Sequence, residues 1–459
     1  MSGDDALPSP AALVVGGGPA GLFLAGSLAA RLREVGLGAE EAPVLLLEKG
    51  PKPGRKLLAS GAGRCNLTNS GPIEDFLPRY GERGRFLRRA LTAFDNAALV
   101  AWFVDRGLDC VAEEGGKVFP ASGRALDVLS VLRAECASLG VRTACGRRVS
   151  SLAPSGTGGF LVGLRSAEPG GDRGESSISS PRVALTTGGR SYPALGSEGE
   201  GYALAAALGH RIVEPRPALT ALLSSEPSLE GLEGLAFEAC RFALRRGGRK
   251  LGDYSGPVLV THEGLSGPGI LDASRDLRAG DLLELDFSAL GREGFKEALM
   301  KSLAASPRSQ VRVLLGELGL PRRLALRLCT LAGLAEDCAA ATLRREAREA
   351  LVTLASAFPV KVDALAGWER AMVTAGGVDC SEVSSATLES RLAPGLWFAG
   401  EILDIDGDTG GFNLQAAFST ARLAAGSMAA SILAAPALPP RLAPSADAGY
   451  DTDPKARNT

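Results

Sequence analysis

The sequence predicts a mixed α/β fold in which a domain with a parallel sheet is built from both ends of the chain and is interrupted by a β-rich domain with a helical insert. Near the amino end, an apolar run at 11–15, an Ala/Leu-rich stretch and a second apolar run at 44–47 follow the order strand, helix, strand. In the middle, short strand-like runs give way to helical spacing over 290–355. Near the carboxyl end, an apolar strand at 396–401 precedes a small-residue helix.

The intervening elements follow from the same patterns. Helical spacing recurs near 86–106 and 122–139, and Gly247-Gly248 between two alternating segments predicts a tight hairpin. The polar, Gly- and Ser-rich stretch 166–182 predicts an exposed loop. The predicted limits are 11–195 for the first segment of the parallel-sheet domain, 196–289 and 356–375 for the β-rich inserted domain, 290–355 for the helical subdomain, 376–434 for the second segment and 435–459 for a disordered tail.

Composition excludes several classes of protein. The eight cysteines include no Cys-x-x-Cys pair, which argues against a zinc site, a disulfide framework and the dithiol of flavin-dependent disulfide reductases; no metal site is expected. Fifty Lys and Arg against 52 Asp and Glu give a net charge of −2, so there is no global electrostatic footprint for nucleic acid. No apolar run reaches the roughly 18 residues that span a bilayer, and no secretory signal precedes the first strand. We therefore expect a soluble, cytoplasmic protein.

The most specific local motif lies between the first predicted strand and the first predicted helix. Residues 16–21 fit the G-x-G-x-x-G pattern of a Rossmann-like domain, in which glycines let the backbone approach a pyrophosphate and a helix amino terminus faces it. Glu48 closes the second strand, 27 residues after Gly21, where its carboxylate should accept from a ribose hydroxyl and repel a 2′-phosphate. This pattern predicts FAD or NAD rather than NADP. The expected contacts are Gly16, Gly18, Pro19, Ala20, Gly21, Glu48 and Lys49.

The return of the chain near its carboxyl end favours FAD over NAD. In two-segment flavin folds, a strand that ends in glycine and an acid places a carboxylate on the ribityl hydroxyls. The next helix aims its N–H groups at the flavin pyrimidine edge, where charge accumulates on reduction. Asn413 is expected to cap that helix, and a plain strand–helix pair is the alternative. The expected contacts are Gly400, Glu401, Gly411, Phe412, Asn413, Leu414 and Gln415.

Two further glycine-rich segments are candidates for cofactor contact. Residues 54–66 concentrate three cations among small residues and could neutralise a pyrophosphate, although such a stretch could also be a solvated loop. Residues 186–201 are interpreted as a crossover beside the flavin rather than a second nucleotide site, because no terminal acid follows at the expected spacing. The expected contacts in these segments are Arg55, Lys56, Ser60, Gly61, Gly63, Arg64, Asn66, Thr187, Gly188 and Gly189, and Val149 is expected as a further contact outside them.

Seven ordered stretches together resemble the BaiN/RdsA family of FAD-dependent oxidoreductases, YhiN-like flavoproteins that include proteins labelled aminoacetone oxidases. The resemblance covers the chain from about residue 11 to 432. The sequence departs from the family pattern at three positions. Ala62 stands where a third consecutive glycine is common in the family, and Glu198 and Glu200 lie in a loop that often carries Thr and Asp. The matching stretches are VVGGGPAGL, GRKLLASGAGRCNLTN, GGKVFPASGRALDVL, TTGGRSYPALGSEGEGYALAAALGH, VTHEGLSGPGIL, AMVTAGGVD and GLWFAGEILDIDGDTGGFNLQAA.

The resemblance implies a Rossmann-like FAD-binding domain interrupted by a β-rich domain with a helical insert. It also implies hydride transfer from NAD(P)H, as a transient electron donor, through the flavin to an activated carbon–carbon double bond. Reported acceptors in the family include steroid-like enones and a uridine of ribosomal RNA. Such a reduction needs a proton donor within hydrogen-bond reach of the developing carbanion. The candidate catalytic residues are Cys65, His262 and Tyr192.

Two alternative activities stay open. An rRNA uridine reductase is favoured by a modest basic bias over 240–350, with 18 Lys and Arg against 14 Asp and Glu, although charge runs are commonly solvated faces. An amine oxidase that uses dioxygen would need an aromatic cage, and the aromatic content is only 5%. The sequence does not decide whether the substrate is a small molecule or rRNA. It also leaves open the pyridine nucleotide and the oligomeric state, and no membrane partner is expected. The basic residues on the predicted hairpin are Arg241, Arg245, Arg246, Arg249 and Lys250.

Overall fold

The computed structural model describes residues 9–156, 158–167 and 175–435. The strands in this part of the chain are β1 (Ala12–Val15), β2 (Val44–Leu47), β3 (Thr68–Asn69), β4 (Cys110–Ala112), β5 (Lys117–Pro120), β6 (Arg142–Ala144), β7 (Arg147–Pro154), β8 (Phe160–Ser166), β9 (Ser176–Ser180), β10 (Val183–Leu185), β11 (Ile212–Ala218), β12 (Leu222–Leu223), β13 (Ala236–Arg246), β14 (Arg249–Thr261), β15 (Gly264–Ser266), β16 (Leu282–Asp286), β17 (Phe358–Lys361), β18 (Ala364–Leu365), β19 (Val373–Val378) and β20 (Leu396–Phe398). The α-helices are α1 (Pro19–Glu34), α2 (Arg55–Ala59), α3 (Gly84–Ala93), α4 (Asn96–Val104), α5 (Ala125–Ser138), α6 (Glu200–Ala207), α7 (Pro268–Ala273), α8 (Gly291–Ala305), α9 (Val311–Glu317), α10 (Arg322–Leu331), α11 (Arg345–Ser356) and α12 (Phe412–Ala434). Within the described residues, no helix combines the length and the apolar character that a membrane crossing requires.

Five strands form a parallel sheet in the order β20-β10-β1-β2-β6. The central strands β1 and β2 are continuous apolar runs in which every residue is buried, as is typical of strands covered on both faces. Strand β20 pairs with β10, with Trp397 opposite Ala184, so the carboxyl end of the chain completes a sheet begun at the amino end. The predicted α/β class, with a Rossmann-like domain built from both chain ends, is confirmed.

Helices α1 and α12 lie side by side against this sheet, and α5 packs beside α1. Phe23 of α1 meets Phe418 of α12 edge to face, with ring centroids 5.1 Å apart. At the end of β20, a Cβ added to Gly400 would lie 2.9 Å from Ala20 Cβ and 3.8 Å from Ala417 Cβ. Both helices therefore begin at the carboxyl edge of the sheet, and glycine at position 400 allows their close approach.

The inserted region contains a second sheet, with the strand order β17-β16-β13-β14-β15-β12-β18. Its pairings are all antiparallel, and β13 and β14 form the hairpin that Gly247-Gly248 predicts. Both glycines have positive φ, 57° and 81°, as a two-residue hairpin turn requires. Helices α8 to α11 lie between β16 and β17 in the chain. Phe295 and Leu351 from these helices share one buried apolar cluster with Leu283 and Phe358 of the sheet.

A two-stranded ribbon joins the two regions. Strand β11 enters the inserted region and β19 leaves it, and the two pair antiparallel with Ile212 opposite Val378 and Ala218 opposite Val373. Both chain crossings therefore run side by side next to the parallel sheet. The sequence patterns predict strand-like runs from about residue 212, but neither strand β19 nor this pairing.

Among the predicted elements, one is wrong and two predicted segments lie partly beyond the described residues. The predicted loop 166–182 contains strand β9, which pairs with β8 and buries Ile178 opposite Val162. Because this strand has one apolar residue among four serines, its composition resembles that of a loop. Part of the predicted loop, residues 168–174, lies outside the described residues. The same holds for the predicted disordered tail except Ala435. The predicted domain limits stay predictions.

Candidate cofactor and active site

The carboxyl ends of four parallel strands bring the predicted motifs together. Strand β1 is followed by Gly16, β2 by Glu48, β10 by the Thr187 turn, and β20 by Gly400 and Glu401. In open α/β sheets, ligands bind in the crevice outside these strand ends. The predicted cofactor motifs therefore share one edge, although they are spread over most of the chain.

The turn between β1 and α1 is tightly packed on one side and open on the other. A Cβ on Gly21 would lie 1.8 Å from the Gly16 carbonyl oxygen, so α1 can approach the turn only with glycine there. A Cβ on Gly18 would meet no described atom within 4 Å. Gly18 is the N-cap of α1, and within the described residues no side chain caps that terminus. Free N–H groups of a 16-residue helix thus face open space, which suits a phosphate anion.

Glu48 is held rigidly beside this turn. Its Oε2 accepts a hydrogen bond from the Gly17 N–H at 2.8 Å, and its Oε1 accepts from the Gly50 N–H at 2.6 Å. Each carboxylate oxygen can accept a second hydrogen bond. The carboxylate is therefore oriented for a hydroxyl donor, as the sequence predicts for a ribose.

A cleft opens beside Glu48. The buried Thr187 Oγ1, on its wall, has no hydrogen-bond partner among the described residues. Buried polar atoms are normally paired, so this atom marks a place for a ligand or water. The predicted contacts that line the cleft are Gly16, Glu48, Lys49, Val149 and Thr187.

Two acidic side chains near the start of α6, Glu198 and Glu200, also line this cleft. Lys49 Nζ lies 3.1 Å from Glu198 Oε2 and 2.8 Å from Glu200 Oε2, and Arg148 also pairs with Glu200. Lys49 is therefore neutralised by the two carboxylates at which the sequence departs from the resembled family. Arg148 was missed by the sequence analysis, although it is adjacent to the predicted contact Val149.

Glu401 is the centre of a second polar cluster, at the end of β20. Its Oε2 lies 2.6 Å from Lys56 Nζ, and its Oε1 accepts from the Thr374 N–H at 2.7 Å and from Ser191 Oγ at 3.3 Å. Thr374 Oγ1 in turn accepts from the Arg190 N–H at 2.7 Å. Thr374, in the stretch AMVTAGGVD, was missed as a site residue because nothing local to it indicates that it meets Glu401.

The loop after α2 is exposed and conformationally unusual. Gly61 and Gly63 have positive φ, 56° and 86°. Ser60 Oγ donates to the Leu57 carbonyl at 2.6 Å, and Arg55 donates to the Ala194 carbonyl at 3.0 Å. A flexible solvated loop would lack these bonds, so the segment forms a defined wall. Gly188 and Gly189 lie in the turn after β10 and close to Glu401: a Cβ on Gly188 would lie 4.0 Å from Glu401 Oε2, and one on Gly189 would lie 3.1 Å from Glu401 Cδ.

Arg64 and Asn66, in the same loop, differ in whether their polar atoms are available to a ligand. Arg64 pairs with Glu113 and stacks over the Phe119 ring, 4.1 Å from its centroid. Asn66 Oδ1 is buried without a hydrogen-bond partner among the described residues. Asn66 thus has an acceptor available for a ligand, whereas Arg64 is already paired.

Helix α12 starts at this edge with Gly411 as its N-cap, and no side chain within the described residues caps it. The prediction that Asn413 caps the helix is wrong, because Asn413 lies inside the first turn and bonds to the preceding loop at Gly407. Gln415 is also not brought to the site: it is buried, and its Nε2 donates to the Phe94 carbonyl at 3.1 Å. Phe412 and Leu414 lie in the same first turn and pack against the core. What α12 offers is its free backbone N–H groups.

The three candidate proton donors lie in different surroundings. Cys65 is 0% exposed, and burial raises the pKa of its thiol to about 12, so it can neither touch a ligand nor readily release a proton; this stands against the predicted role. His262 is exposed on the two-residue turn between β14 and β15 of the inserted region. Tyr192 is half-buried, directly after Ser191 of the Glu401 cluster. Cys65 lies between the predicted contacts Arg64 and Asn66, and Tyr192 lies close to Gly188 and Gly189, but only Tyr192 of these two donors is accessible to a ligand.

Known proteins resemble this chain over most of its length. The sequence matches the HI0933-like protein Rossmann domain over residues 10–427. A 3-dehydro-bile acid delta(4,6)-reductase from Clostridium scindens is 32% identical over 90% of this chain and 97% of the relative. A ribosomal RNA dihydrouridine synthase from Escherichia coli is 30% identical over 89% of this chain and 96% of the relative.

Among solved structures, a 3-ketosteroid-delta4-(5alpha)-dehydrogenase from Rhodococcus jostii RHA1 is similar with a TM-score of 0.50 at 17% identity, covering 93% of this chain and 98% of that one. At this identity the likeness shows the fold alone. The sequence match over residues 10–427 takes in both segments of the parallel sheet and the inserted region between them. The chain therefore belongs to the HI0933-like Rossmann family, a family of flavoprotein oxidoreductases.

Proposed function

We propose that the protein binds FAD at the carboxyl edge of its parallel sheet and catalyses hydride transfer from NAD(P)H, through the flavin, to an activated carbon–carbon double bond. The observation that carries the proposal is the meeting of two uncapped helix termini and two oriented carboxylates, Glu48 and Glu401, at that edge. A dinucleotide has an anionic pyrophosphate and two sugar-like chains, which match these groups.

The residues present fit FAD. The open space in front of Gly18 suits the pyrophosphate, and Glu48 suits the adenosine ribose. Glu401 suits the ribityl chain, and the free N–H groups after Gly411 suit the pyrimidine edge. The unpartnered buried oxygens of Thr187 and Asn66 are further acceptors along this path.

Bound there, FAD would supply hydride chemistry to an electron-poor double bond. The remaining tasks belong to the protein. Free N–H groups at the start of α12 would stabilise negative charge on the ring edge, and we propose that Tyr192 holds the proton at its hydroxyl for the carbanion carbon. The Tyr192 backbone is left-handed, with φ 57°, and its N–H donates to the Trp368 carbonyl at 3.0 Å. This bond holds the Tyr192 backbone in a conformation that non-glycine residues rarely adopt.

The similar proteins support reduction of a double bond. One is named as a bile acid delta(4,6)-reductase, and the other as a dihydrouridine synthase. Both names describe reduction of a ring double bond. We also propose a cytoplasmic location, because the eight cysteines, all within the described residues, are free thiols, as expected in a reducing compartment.

Ribosomal RNA is the second candidate acceptor, favoured by the name of the 30% identical relative. The basic hairpin supports it weakly, because most of its cations are paired within the protein. Arg245 Nε lies 2.7 Å from Glu284, Arg246 Nε lies 2.8 Å from Asp281, and Lys250 Nζ lies 2.7 Å from Asp253. Paired cations release fewer counterions from a phosphate backbone. We therefore favour a small enone-like acceptor.

The test is an anaerobic half-reaction. The purified protein is reduced with NADH or NADPH, and flavin absorbance is followed while a panel of cyclic enones or undermodified ribosomal RNA is added. Reoxidation by an enone supports the proposal, and reoxidation by RNA alone moves the second candidate forward. If only dioxygen reoxidises the flavin, with peroxide released when an amine is present, the double-bond proposal is contradicted.

A further inference from the structure

The segment 404–411, between β20 and α12, contacts the inserted region as well as its own domain; we call it the pre-α12 loop. Asp272, on α7, accepts two hydrogen bonds from Thr409 of this loop. Thr409 N–H lies 2.6 Å from Asp272 Oδ1, and Thr409 Oγ1 donates to Oδ2 at 3.3 Å. These residues are separated by 137 positions in the chain. The bond therefore ties the inserted region to the loop before the flavin-facing helix.

Arg275, just after α7, forms ion pairs with two acidic residues of the same loop. Its Nε lies 2.5 Å from Asp406 Oδ2, its Nη1 lies 2.6 Å from Asp408 Oδ1, and its Nη2 donates to the Asp406 carbonyl at 2.8 Å. The Arg275 side chain is 16% exposed, and those of Asp406 and Asp408 are 12% and 20% exposed. A shielded ion network of this geometry is costly to break, because one partner would be left unpaired.

The far end of the pre-α12 loop is fixed to the first turn of α12. Asn413 Oδ1 accepts from the Gly407 N–H at 2.8 Å, and its Nδ2 donates to the Gly407 carbonyl at 2.8 Å. Tyr80 Oη donates to the Phe412 carbonyl at 2.7 Å. A continuous chain of hydrogen bonds thus runs from α7 to the helix terminus.

We propose that Asp272 and Arg275 are positioning residues: the inserted region uses them to hold the pre-α12 loop, and through it the free N–H groups of α12, against the flavin. This inference rests on the proposed FAD site. It deepens that proposal by assigning a task to the inserted region, which contributes none of the predicted cofactor contacts. Neither residue needs to touch the flavin.

Loss of the contacts that hold the pre-α12 loop should affect the binding of reduced FAD more than that of oxidised FAD. Negative charge that builds on the pyrimidine ring is stabilised by the positive end of α12 over a short distance only. When the loop loosens, reduced FAD should lose more affinity than oxidised FAD, and the midpoint potential should become more negative. A tenfold difference between the two losses corresponds to about 30 mV for a two-electron couple.

The test compares Asp272→Ala, Asp272→Asn and Thr409→Val in the full-length protein. Asparagine retains an acceptor for the Thr409 N–H, so Asp272→Asn should remain close to wild type, whereas alanine should weaken FAD binding roughly tenfold. Thr409→Val tests the weaker hydroxyl bond and should have a smaller effect. Glu284→Gln, which removes a carboxylate paired with Arg245 in the same sheet, is the matched control.

Two readouts are independent of turnover. Hydrogen exchange of the FAD-free protein should show faster exchange at the Thr409 amide in Asp272→Ala, with α7 itself unchanged. The midpoint potential of the bound flavin should fall in Asp272→Ala and stay constant in Glu284→Gln. If amide exchange in the pre-α12 loop and the potential both match wild type, the positioning role is overturned while the FAD proposal stands. If the wild-type protein binds no FAD, both the positioning role and the FAD proposal are contradicted.

Discussion

Lys56 and Glu401 are 345 residues apart in the chain, yet Lys56 Nζ lies 2.6 Å from Glu401 Oε2. One belongs to the glycine-rich segment near the amino end, and the other follows the last strand of the parallel sheet. Their side chains are 24% and 21% exposed, so the pair is shielded but not buried. This contact closes the proposed cofactor site between the two chain segments.

Removal of either member of this pair should weaken FAD binding. Glu401→Ala loses the expected ribityl acceptor and leaves Lys56 with its bond to Ser191 Oγ, and Lys56→Ala removes one of the groups that orient the Glu401 carboxylate. We expect the affinity for FAD to fall about tenfold or more in each single variant. In the double variant the loss of affinity should be much smaller than the product of the two single losses, because contacting residues couple by about 0.5–3 kcal/mol. Fluorescence titration with FAD gives all four affinities. Independent, multiplicative losses would show that the pair does not act as one unit.

Gly18 and Gly21 provide a matched pair of substitutions in one motif. Gly18→Ala meets no described atom within 4 Å, so the fold should keep its thermal midpoint, but the methyl group would occupy the space assigned to the pyrophosphate and weaken FAD binding at least tenfold. Gly21→Ala would place its Cβ 1.8 Å from the Gly16 carbonyl oxygen and should destabilise the fold by several kcal/mol, on the order of other overpacked sites. Calorimetry and FAD titration separate the two effects. Normal FAD affinity in Gly18→Ala would place the pyrophosphate elsewhere.

Tyr192 and Cys65 can be distinguished as proton donors by paired substitutions. Tyr192→Phe keeps the ring and removes the hydroxyl, so kcat for double-bond reduction should fall by roughly 10²-fold or more, with the rate of flavin reduction unchanged. Cys65→Ala should leave kcat within about twofold, because the thiol is fully buried. Stopped-flow measurement of the two half-reactions provides the comparison. A large loss in Cys65→Ala with a stable fold would reverse the assignment.

Asp272 should give the protein a recognisable pH dependence of stability. Burial raises the pKa of Asp272 to about 6, with the Thr409 bonds and Arg275 lowering it and Asp408 raising it. A carboxyl group with a raised pKa contributes stability that is complete below its unfolded pKa, about 4, and is lost as the pH rises through about 6. Asp272→Asn does not titrate. The free energy of unfolding of wild type relative to Asp272→Asn should therefore fall between pH 4 and 6.5, as measured by urea unfolding; a constant difference would mean that Asp272 does not titrate in this range.

Local patterns predicted the parts of the site that are contiguous in the chain. The β1–turn–α1 unit, Glu48 at the end of β2 and the β20–α12 return each combine a buried apolar run with glycines at a strand end, so both the element and its chemistry are visible in a short window. The hairpin at Gly247-Gly248 was predictable for the same reason. Each of these features depends on neighbours in sequence.

What sequence reasoning missed depends on contacts between distant segments. Thr374 meets Glu401, and Asp272 meets Thr409, only because the inserted region folds back through the β11–β19 ribbon. Gln415 was assigned to the cofactor because it lies in the right motif, but its position on the helix turns it towards Phe94. A motif gives residue types and spacing, whereas the direction of each side chain is set by the packing of its helix.

The central claim is that both ends of the chain form one FAD site, and the most direct test is the stoichiometry and affinity of FAD binding to the purified protein. We predict one FAD per chain in the wild type, with binding weakened at least tenfold by Gly18→Ala in the first segment and, separately, by Glu401→Ala in the second. Absence of FAD binding by the correctly folded wild type, or binding that is insensitive to both substitutions, would contradict the account.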